Sequence, residues 1–509
     1  MINKNLKKEI FYEIYPNSFK DNNNDGYGDF QGIIEKLDYV KDLGVTSIWL
    51  NPHFDSPFKD GGYDVKDYFH ASKRFGTDEE FFKLVDEIHA RGMKIIIDLV
   101  CGHTSEENEI FLKSASPYPS EYDDMFIWSD NPWEVPQGYN FMRGRFDRHG
   151  SYMVNFFSTQ PALNYGFKNP IYPWQIHYKD ERVLKTRDYM VKVMEHYLFK
   201  GVDGFRVDMA DYLVKDESHE DKSASIEVWQ DMIGRIRKNY PNAIFVSEWC
   251  NPYQALQAGF DLDFVLDRHN DFFNDLARRE DWDNANKSFL KINSTLNIKE
   301  NMEIMERKIL DNKDLGYLSF ISCNHDMPRP TRFLNSKELR MFYVILFTLP
   351  GVPFLYYGDE IEMIYHEGLP SKECGYGRTG TRTPMVWDNS FNKGFSNANE
   401  EDLFLPIDPT TSVKDKQNDK NSIYYLVKEL IKFRKENEDL QGNNISFITC
   451  DNRLLVYQRN NYLVVINPSN ETKDYGVNAS RILFVDGNAS LKDDKLSISS
   501  QSSVILLLK

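Results

Sequence analysis

Acidic residues recur where short apolar runs of this chain end. Ile97-Asp98-Leu99-Val100 leads into Cys101-Gly102-His103, Gly204-Phe205-Arg206-Val207 ends on Asp208, and Val246-Ser247 ends on Glu248. A later run enters Cys323-Asn324-His325-Asp326. If these runs are strands of one parallel barrel, the three carboxylates Asp208, Glu248 and Asp326, two histidines and an arginine meet at the mouth formed by the strand ends, where such barrels do chemistry. Stability does not explain the gathering, because a buried carboxylate is expensive unless partnered. Carboxylates collected in this way suit acid–base and nucleophilic catalysis.

A second cluster, Asp21-Asn22-Asn23-Asn24-Asp25-Gly26-Tyr27-Gly28-Asp29, has the spacing of a calcium loop. Asp21, Asn23, Asp25 and Asp29 offer side-chain oxygens, Tyr27 a main-chain carbonyl, and Gly26 the sharp turn. The twelfth position is Gly32 instead of the bidentate glutamate. The expected ligand is therefore a structural Ca2+, weakly held, or Mg2+.

The elements that must position these residues are legible as alternating strand and helix signals. Apolar runs at Ile10–Tyr15, Ser47–Leu50, Lys94–Val100, Gly204–Asp208, Ala243–Glu248, Leu262–Leu266, Leu318–Ser322 and Val352–Tyr357 are followed by stretches with helical periodicity. Those stretches include Phe30–Leu43, Thr77–Arg91, Leu184–Phe199, Ile226–Asn239 and Lys337–Thr348. Eight such units predict an α/β fold, a (β/α)8 TIM barrel, over residues 1–103 and 175–441. Residues 104–174, rich in Pro, Tyr, Trp, Phe and Gly without a clear helix, are expected to form an inserted subdomain after strand 3. A last amphipathic helix, Tyr424–Lys435, precedes alternating strands at Leu454–Gln458, Tyr462–Ile466, Arg481–Val485 and Ser503–Leu508. Residues 442–509 are thus expected to be a C-terminal all-β, sandwich-like domain. No GxGxxG or GxxxxGK[ST] follows the first strand, which weakens dinucleotide and P-loop readings.

Taken in order, these motifs resemble the α-amylase family of glycoside hydrolases, in its oligo-1,6-glucosidase and α-glucosidase branch. Phe11-Tyr12-Glu13-Ile14-Tyr15-Pro16 is similar to the family's opening strand, Gly61-Gly62-Tyr63-Asp64 to its GYD loop, and Gly204–Asp208 to its nucleophile strand. Arg382-Thr383-Pro384-Met385 resembles its RTPM segment. The resemblance implies a retaining glycosidase with Asp208 as nucleophile, Glu248 as general acid/base, and Asp326 binding substrate hydroxyls and favouring ring distortion. A nucleophile must stay ionised, and Arg206, two residues earlier on the same strand face, is expected to hold the Asp208 carboxyl down. Glu248 must begin protonated and needs an apolar or acidic neighbour; Trp249 should point away. The resemblance further implies Tyr63 as a sugar platform, His103 and His325 as donors to ring hydroxyls, and an Asp60–Arg382 pair clamping the non-reducing end. Relatives bind calcium in loops like 21–29. Gly102 stands where the family usually carries Asn, and Ala162 replaces the Asp of its QPDLN segment. Met209 follows the nucleophile where many α-1,4 enzymes have Ala and α-1,6 enzymes Val, so linkage preference stays open.

Composition sets the bounds. The chain has 61 Lys plus Arg against 78 Asp plus Glu, a formal charge of −17, which argues against nucleic acid and anionic membrane as partners. Aromatic content is 14%, suited to concave sites for flat apolar faces such as sugar rings. No apolar run approaches the roughly 18 residues of a membrane span, and Met1 to Phe19 has no signal-peptide core. Cys101, Cys250, Cys323, Cys374 and Cys450 lie at wide, irregular spacings, without a disulfide or zinc pattern. Those beside the motifs are expected to be small packing residues. The expectation is a cytoplasmic retaining α-glucosidase for malto- or isomalto-oligosaccharides, sucrose or trehalose. A transglycosylase or isomerase of the same fold, similar to trehalose synthases, is the alternative, with a non-catalytic protein like the amino-acid-transporter heavy chains a distant third.

Overall fold

The computed structural model describes residues 3–133, 137–266, 272–277, 288–373, 377–449 and 451–509, so Cys374 and Cys450 lie outside the described residues. Eight parallel strands close into a barrel: β1 (Phe11–Ile14), β2 (Ser47–Leu50), β3 (Lys94–Val100), β4 (Gly204–Asp208), β5 (Ile244–Ser247), β6 (Leu262–Phe264), β7 (Tyr317–Ile321) and β8 (Val352–Tyr356). Each pairs with its neighbours in sequence, and β8 closes on β1. The TIM barrel read from the sequence is the fold observed.

Strand alternation sorts the side chains. Trp49, Ile96, Val246, Leu262 and Phe354 fill the lumen as one buried cluster. Two residues further along, on the same faces, come Asn51, Asp98, Glu248, Phe264 and Tyr356. The lumen is thus apolar below and acidic at the mouth. Residues between them, such as Phe245 and Ile97, pack outward with the surrounding helices. Those helices are α1 (Phe30–Leu43), α2 (Asp78–Ala90), α3 (Glu181–Phe199), α4 (Ser223–Asn239), α5 (Pro252–Gln257), α6 (Lys299–Asn312), α7 (Ser336–Thr348) and α8 (Ile423–Glu436). Thr77 with Glu80, and Asn335 with Glu338, form capping boxes that start α2 and α7.

Between β3 and α3 lies a small antiparallel sheet of Trp128–Ser129, Ser151–Met153 and Phe141–Arg143. It also contains a helix, Glu109–Ser114, that the sequence reading left out. One turn and a half is too short for helical periodicity to show; Asn108 starts it by accepting from the Ile110 and Phe111 N–H groups. The bridge His103–Ala162 fastens this insertion to the end of β3, and Phe126–Leu163 joins two of its own segments. The C-terminal strands form a five-stranded antiparallel sheet with Ser446–Thr449 at one edge. A second sheet of Lys473–Gly476, Lys495–Ile498 and Ala489–Lys492 was not anticipated, because its strands are short and polar. No described helix is long and apolar enough to cross a membrane.

Candidate active site

Arg206 is the centre of the mouth. Fully buried on β4, its guanidinium reaches Asp98 Oδ1 at 2.6 Å, Glu248 Oε2 at 2.7 Å and Asp208 Oδ1 at 3.3 Å. Asp98, which the sequence reading placed in a motif but not in the site, also accepts from Trp49 Nε1 at 2.8 Å and Asn51 Nδ2 at 3.3 Å. Buttressed in this way, Arg206 orients both carboxyls. It does not keep Asp208 low, as expected from spacing alone: burial and the neighbouring Glu248 carboxylate push the Asp208 carboxyl well above its usual range, against Arg206. Trp249 turns away from the lumen onto Gln254 and Phe260, as alternation requires.

The backbone around the carboxyls is strained. Met209 lies in the left-handed region at φ 42°, a conformation that costs a side-chain-bearing residue about 1–3 kcal/mol. There its N–H donates to Glu248 Oε2 at 3.2 Å.

Asp326, beyond β7, is held by three cations. Arg378 and Arg382 donate to its Oδ1 at 2.6 and 3.0 Å, and His325 Nε2 stands 3.1 Å from Oδ2. These charges hold the Asp326 carboxyl far below its ordinary range despite burial. His325 in turn is raised to about 9 by Asp326 and by Glu13, whose Oε1 is 2.8 Å from Nδ1, so it is an imidazolium at neutral pH. Tyr63 stacks on it with ring centroids 5.2 Å apart and its hydroxyl 2.8 Å from Nε2.

The clamp differs from the expected pair. Asp60 does not meet Arg382; Arg378 donates to Asp60 Oδ1 at 2.6 Å, and Gln160 Nε2 to Oδ2 at 2.7 Å. Arg382 instead bonds Glu373 Oε2 at 2.8 Å and the His325 carbonyl at 2.8 Å, in addition to Asp326. Gly61, at φ 57°, leaves room for it, since a Cβ there would stand 2.7 Å from its NH1. Asp64 folds the loop that carries Asp60 and Tyr63 by accepting from the Lys59 and Asp60 N–H groups, both at 3.0 Å.

His103 is likewise engaged by protein on both nitrogens, Nδ1 with Asn155 Nδ2 and Nε2 with the Tyr63 carbonyl, each at 3.1 Å. Burial and the nearby Lys215 ammonium lower it to about 3. Lys215 donates to Asn155 Oδ1 at 2.9 Å and is itself lowered to about 7 by burial. Neither Asn155 nor Lys215 was found from sequence, where a lysine ending Tyr-Leu-Val-Lys carries no spacing signal.

Away from the mouth, Asp21 and Asp29 accept loop N–H groups: Asn24 and Gly26 donate to Asp21 at 2.6 and 2.9 Å, Asn22 and Asn23 to Asp29 at 2.8 and 3.0 Å. Asn23 Nδ2 bonds Asp25 Oδ2 at 3.1 Å. Among the described residues no three His, Cys, Asp or Glu side chains form a metal-holding group. The all-oxygen donor set is of the kind a hard cation takes, although Asp21 Oδ2 and Asp29 Oδ2 each accept two protein hydrogen bonds.

Comparison with known proteins identifies the family. The profile described as Alpha amylase, catalytic domain, matches residues 13–443. The chain is similar to the oligo-1,6-glucosidase of Heyndrickxia coagulans, 31% identical over 540 residues that cover 92% of this chain and 93% of that protein. It is also similar to the glucan 1,6-alpha-glucosidase of Streptococcus pneumoniae, 29% identical with 92% of both chains covered. An isomaltulose synthase variant of Erwinia rhapontici, solved with D-glucose, superposes with a TM-score of 0.82 at 25% identity over 99% of each chain. With its eight-stranded barrel, its arginine-bridged carboxyls and a catalytic-domain match along most of its length, the chain belongs to the alpha-amylase family and is one of its glycosidases.

Proposed function

We propose that this chain is a retaining α-glucosidase that removes single glucosyl units from short α-glucosides. The observation that carries the reading is the buried Arg206 bound at once to Asp98, Asp208 and Glu248, which holds two carboxyls against one point in the mouth. Retaining enzymes need such a pair roughly 5–5.5 Å apart. Asp208 attacks the anomeric carbon while Glu248, as the general acid, gives a proton to the departing oxygen. Water, deprotonated by Glu248, then releases the sugar from Asp208. Asp326, kept ionised by its three cations, accepts hydroxyl hydrogen bonds of the distorted ring.

The bridge Asp60–Arg378–Asp326 supports the exo mode, because it joins the loops after β2, β7 and β8 across one side of the mouth. We read the protein as cytoplasmic, and the loop 21–29 as a structural calcium site in which Asp21, Asn23, Asp25, Asp29 and the Tyr27 carbonyl hold the ion. A glucosyl transfer to a sugar acceptor is the second reading, favoured by the likeness to an isomaltulose synthase. A time course on maltohexaose resolved by chain length tests the first: glucose and maltopentaose should appear together. Early maltose and maltotriose with little glucose would defeat the pocket. Incubation with sucrose separates the two readings, hydrolysis giving glucose and fructose and transfer giving isomers of sucrose.

A further inference from the structure

Asp263 is out of place on packing grounds. It lies on β6 opposite Ser247 of β5, and its side chain leaves the lumen for the apolar layer between strands and helices, where it is wholly buried. Among the described residues it makes no ion pair, and its Oδ2 has no hydrogen-bond partner. An unpaired carboxyl in such surroundings is destabilising compared with an apolar side chain. Its one engaged oxygen, Oδ1, gathers the segment that follows Glu248: the Ser247 hydroxyl donates at 2.6 Å and the Trp249 N–H at 3.1 Å. The Cys250 N–H is a further donor to this carboxyl, and burial raises it to about 7 against these donors. Cys250 itself is held at φ 61°, a left-handed conformation that a cysteine adopts only under constraint. Residues on both sides of Glu248 are thus tied to one carboxyl from the next strand, while the Glu248 side chain points the opposite way, to Arg206.

We propose that Asp263 is a positioning residue for the general acid: by clasping Ser247, Trp249 and Cys250 it fixes the backbone from which Glu248 delivers its proton to the leaving oxygen. The inference rests on the reading of Glu248 given above. It deepens that reading, since Asp263 touches neither substrate nor the reacting atoms.

The test uses leaving groups. In cleavage of maltose the C1–O bond breaks while the oxygen takes a proton from Glu248; in cleavage of α-glucosyl fluoride the C1–F bond breaks and fluoride leaves as an anion without a proton. The ratio of kcat/KM on the two substrates isolates proton delivery in the first chemical step. In Asp263→Leu, kcat/KM on maltose should fall about 30-fold more than on α-glucosyl fluoride, within the range that general acid catalysis supplies. Asp263→Asn, which keeps the Oδ1 acceptor, should stay within about threefold of wild type on both substrates. Ser247→Ala, which removes one tether and spares the fold, should show a smaller selective loss of about three- to fivefold on maltose. Equal losses on both substrates in Asp263→Leu, or in Ser247→Ala should the leucine variant fail to fold, would overturn the proposal. Glu248→Gln is the control. If it shows no selectivity for the leaving group, the acid assignment itself falls, an outcome distinct from failure of Asp263 alone.

Discussion

Asp208 carries the chemistry at the scale of single residues. Asp208→Asn keeps the shape and the contact with Arg206 but cannot form a glycosyl ester, so turnover should drop by several orders of magnitude with circular dichroism unchanged. A variant retaining a tenth of wild-type turnover would remove Asp208 from the role. The two arginines of the clamp make a sharper comparison. Arg378→Ala removes the cation that Asp60 and Asp326 share, and should lower kcat/KM on a disaccharide by about 2–4 kcal/mol. Arg382→Ala takes the cation from buried Glu373, to which Tyr15 and Asn17 still donate, and should lower stability by about 3 kcal/mol, read from urea unfolding. Both are arginines in one irregular loop, four residues apart, and the sequence pattern pointed to the wrong one. A 3-10 turn over Arg378–Thr381 sets both arginines on Asp326 but only the first on Asp60, the second turning to Glu373. Nothing in residue type or spacing records that choice.

Among the elements, the 21–29 loop ties the start of α1 to a distant segment. Asp29 caps α1 through the Gly32 N–H at 2.6 Å, and Asp21 accepts from Ser396 Oγ at 2.6 Å. A cation bound there only in the folded state stabilises by mass action. Chelation of metal-loaded protein should therefore lower Tm while activity persists at permissive temperature. An unchanged Tm would argue against a stabilising ion. The loop was legible because a metal loop is local: nine consecutive residues state its donors. The tether to Ser396 was not, since the two lie 375 residues apart.

For the whole molecule, buried neutral histidines set the acid limit. His53 is enclosed by aromatic rings, stacked on Phe81 at 4.0 Å, with neither ring nitrogen hydrogen-bonded; burial lowers it to about 3, as it does His103. An unfolded chain protonates histidine near 6.5, so below that pH it binds protons that the folded chain refuses until about pH 3. Stability is then lost as pH falls through this window, by about 2 kcal/mol per histidine between pH 6.5 and 5. His53→Phe preserves the stacking and should raise Tm more at pH 5 than at pH 7.5. A gain equal at both values would show that His53 does not titrate in this way.

The sequence by itself determined the barrel, because eight strand and helix periods are local patterns that burial of one face enforces. It also determined that Asp208, Glu248 and Asp326 share a mouth, because each ends a strand and parallel strands bring their ends to one side. The tertiary structure alone decided which charges face one another. Arg206 serves three carboxylates instead of one, Arg378 displaces Arg382 at Asp60, and His103 spends both nitrogens on the protein. Lys215, from the loop after β4, and Asn155, from the insertion, meet beside His103. Asp263 reaches Glu248's neighbours only because β5 and β6 pair in a register that sets it against Ser247. Electrostatic partnership depends on distances of a few ångströms between residues far apart in the chain, and burial sets its strength; neither is encoded in the order of residues along a strand.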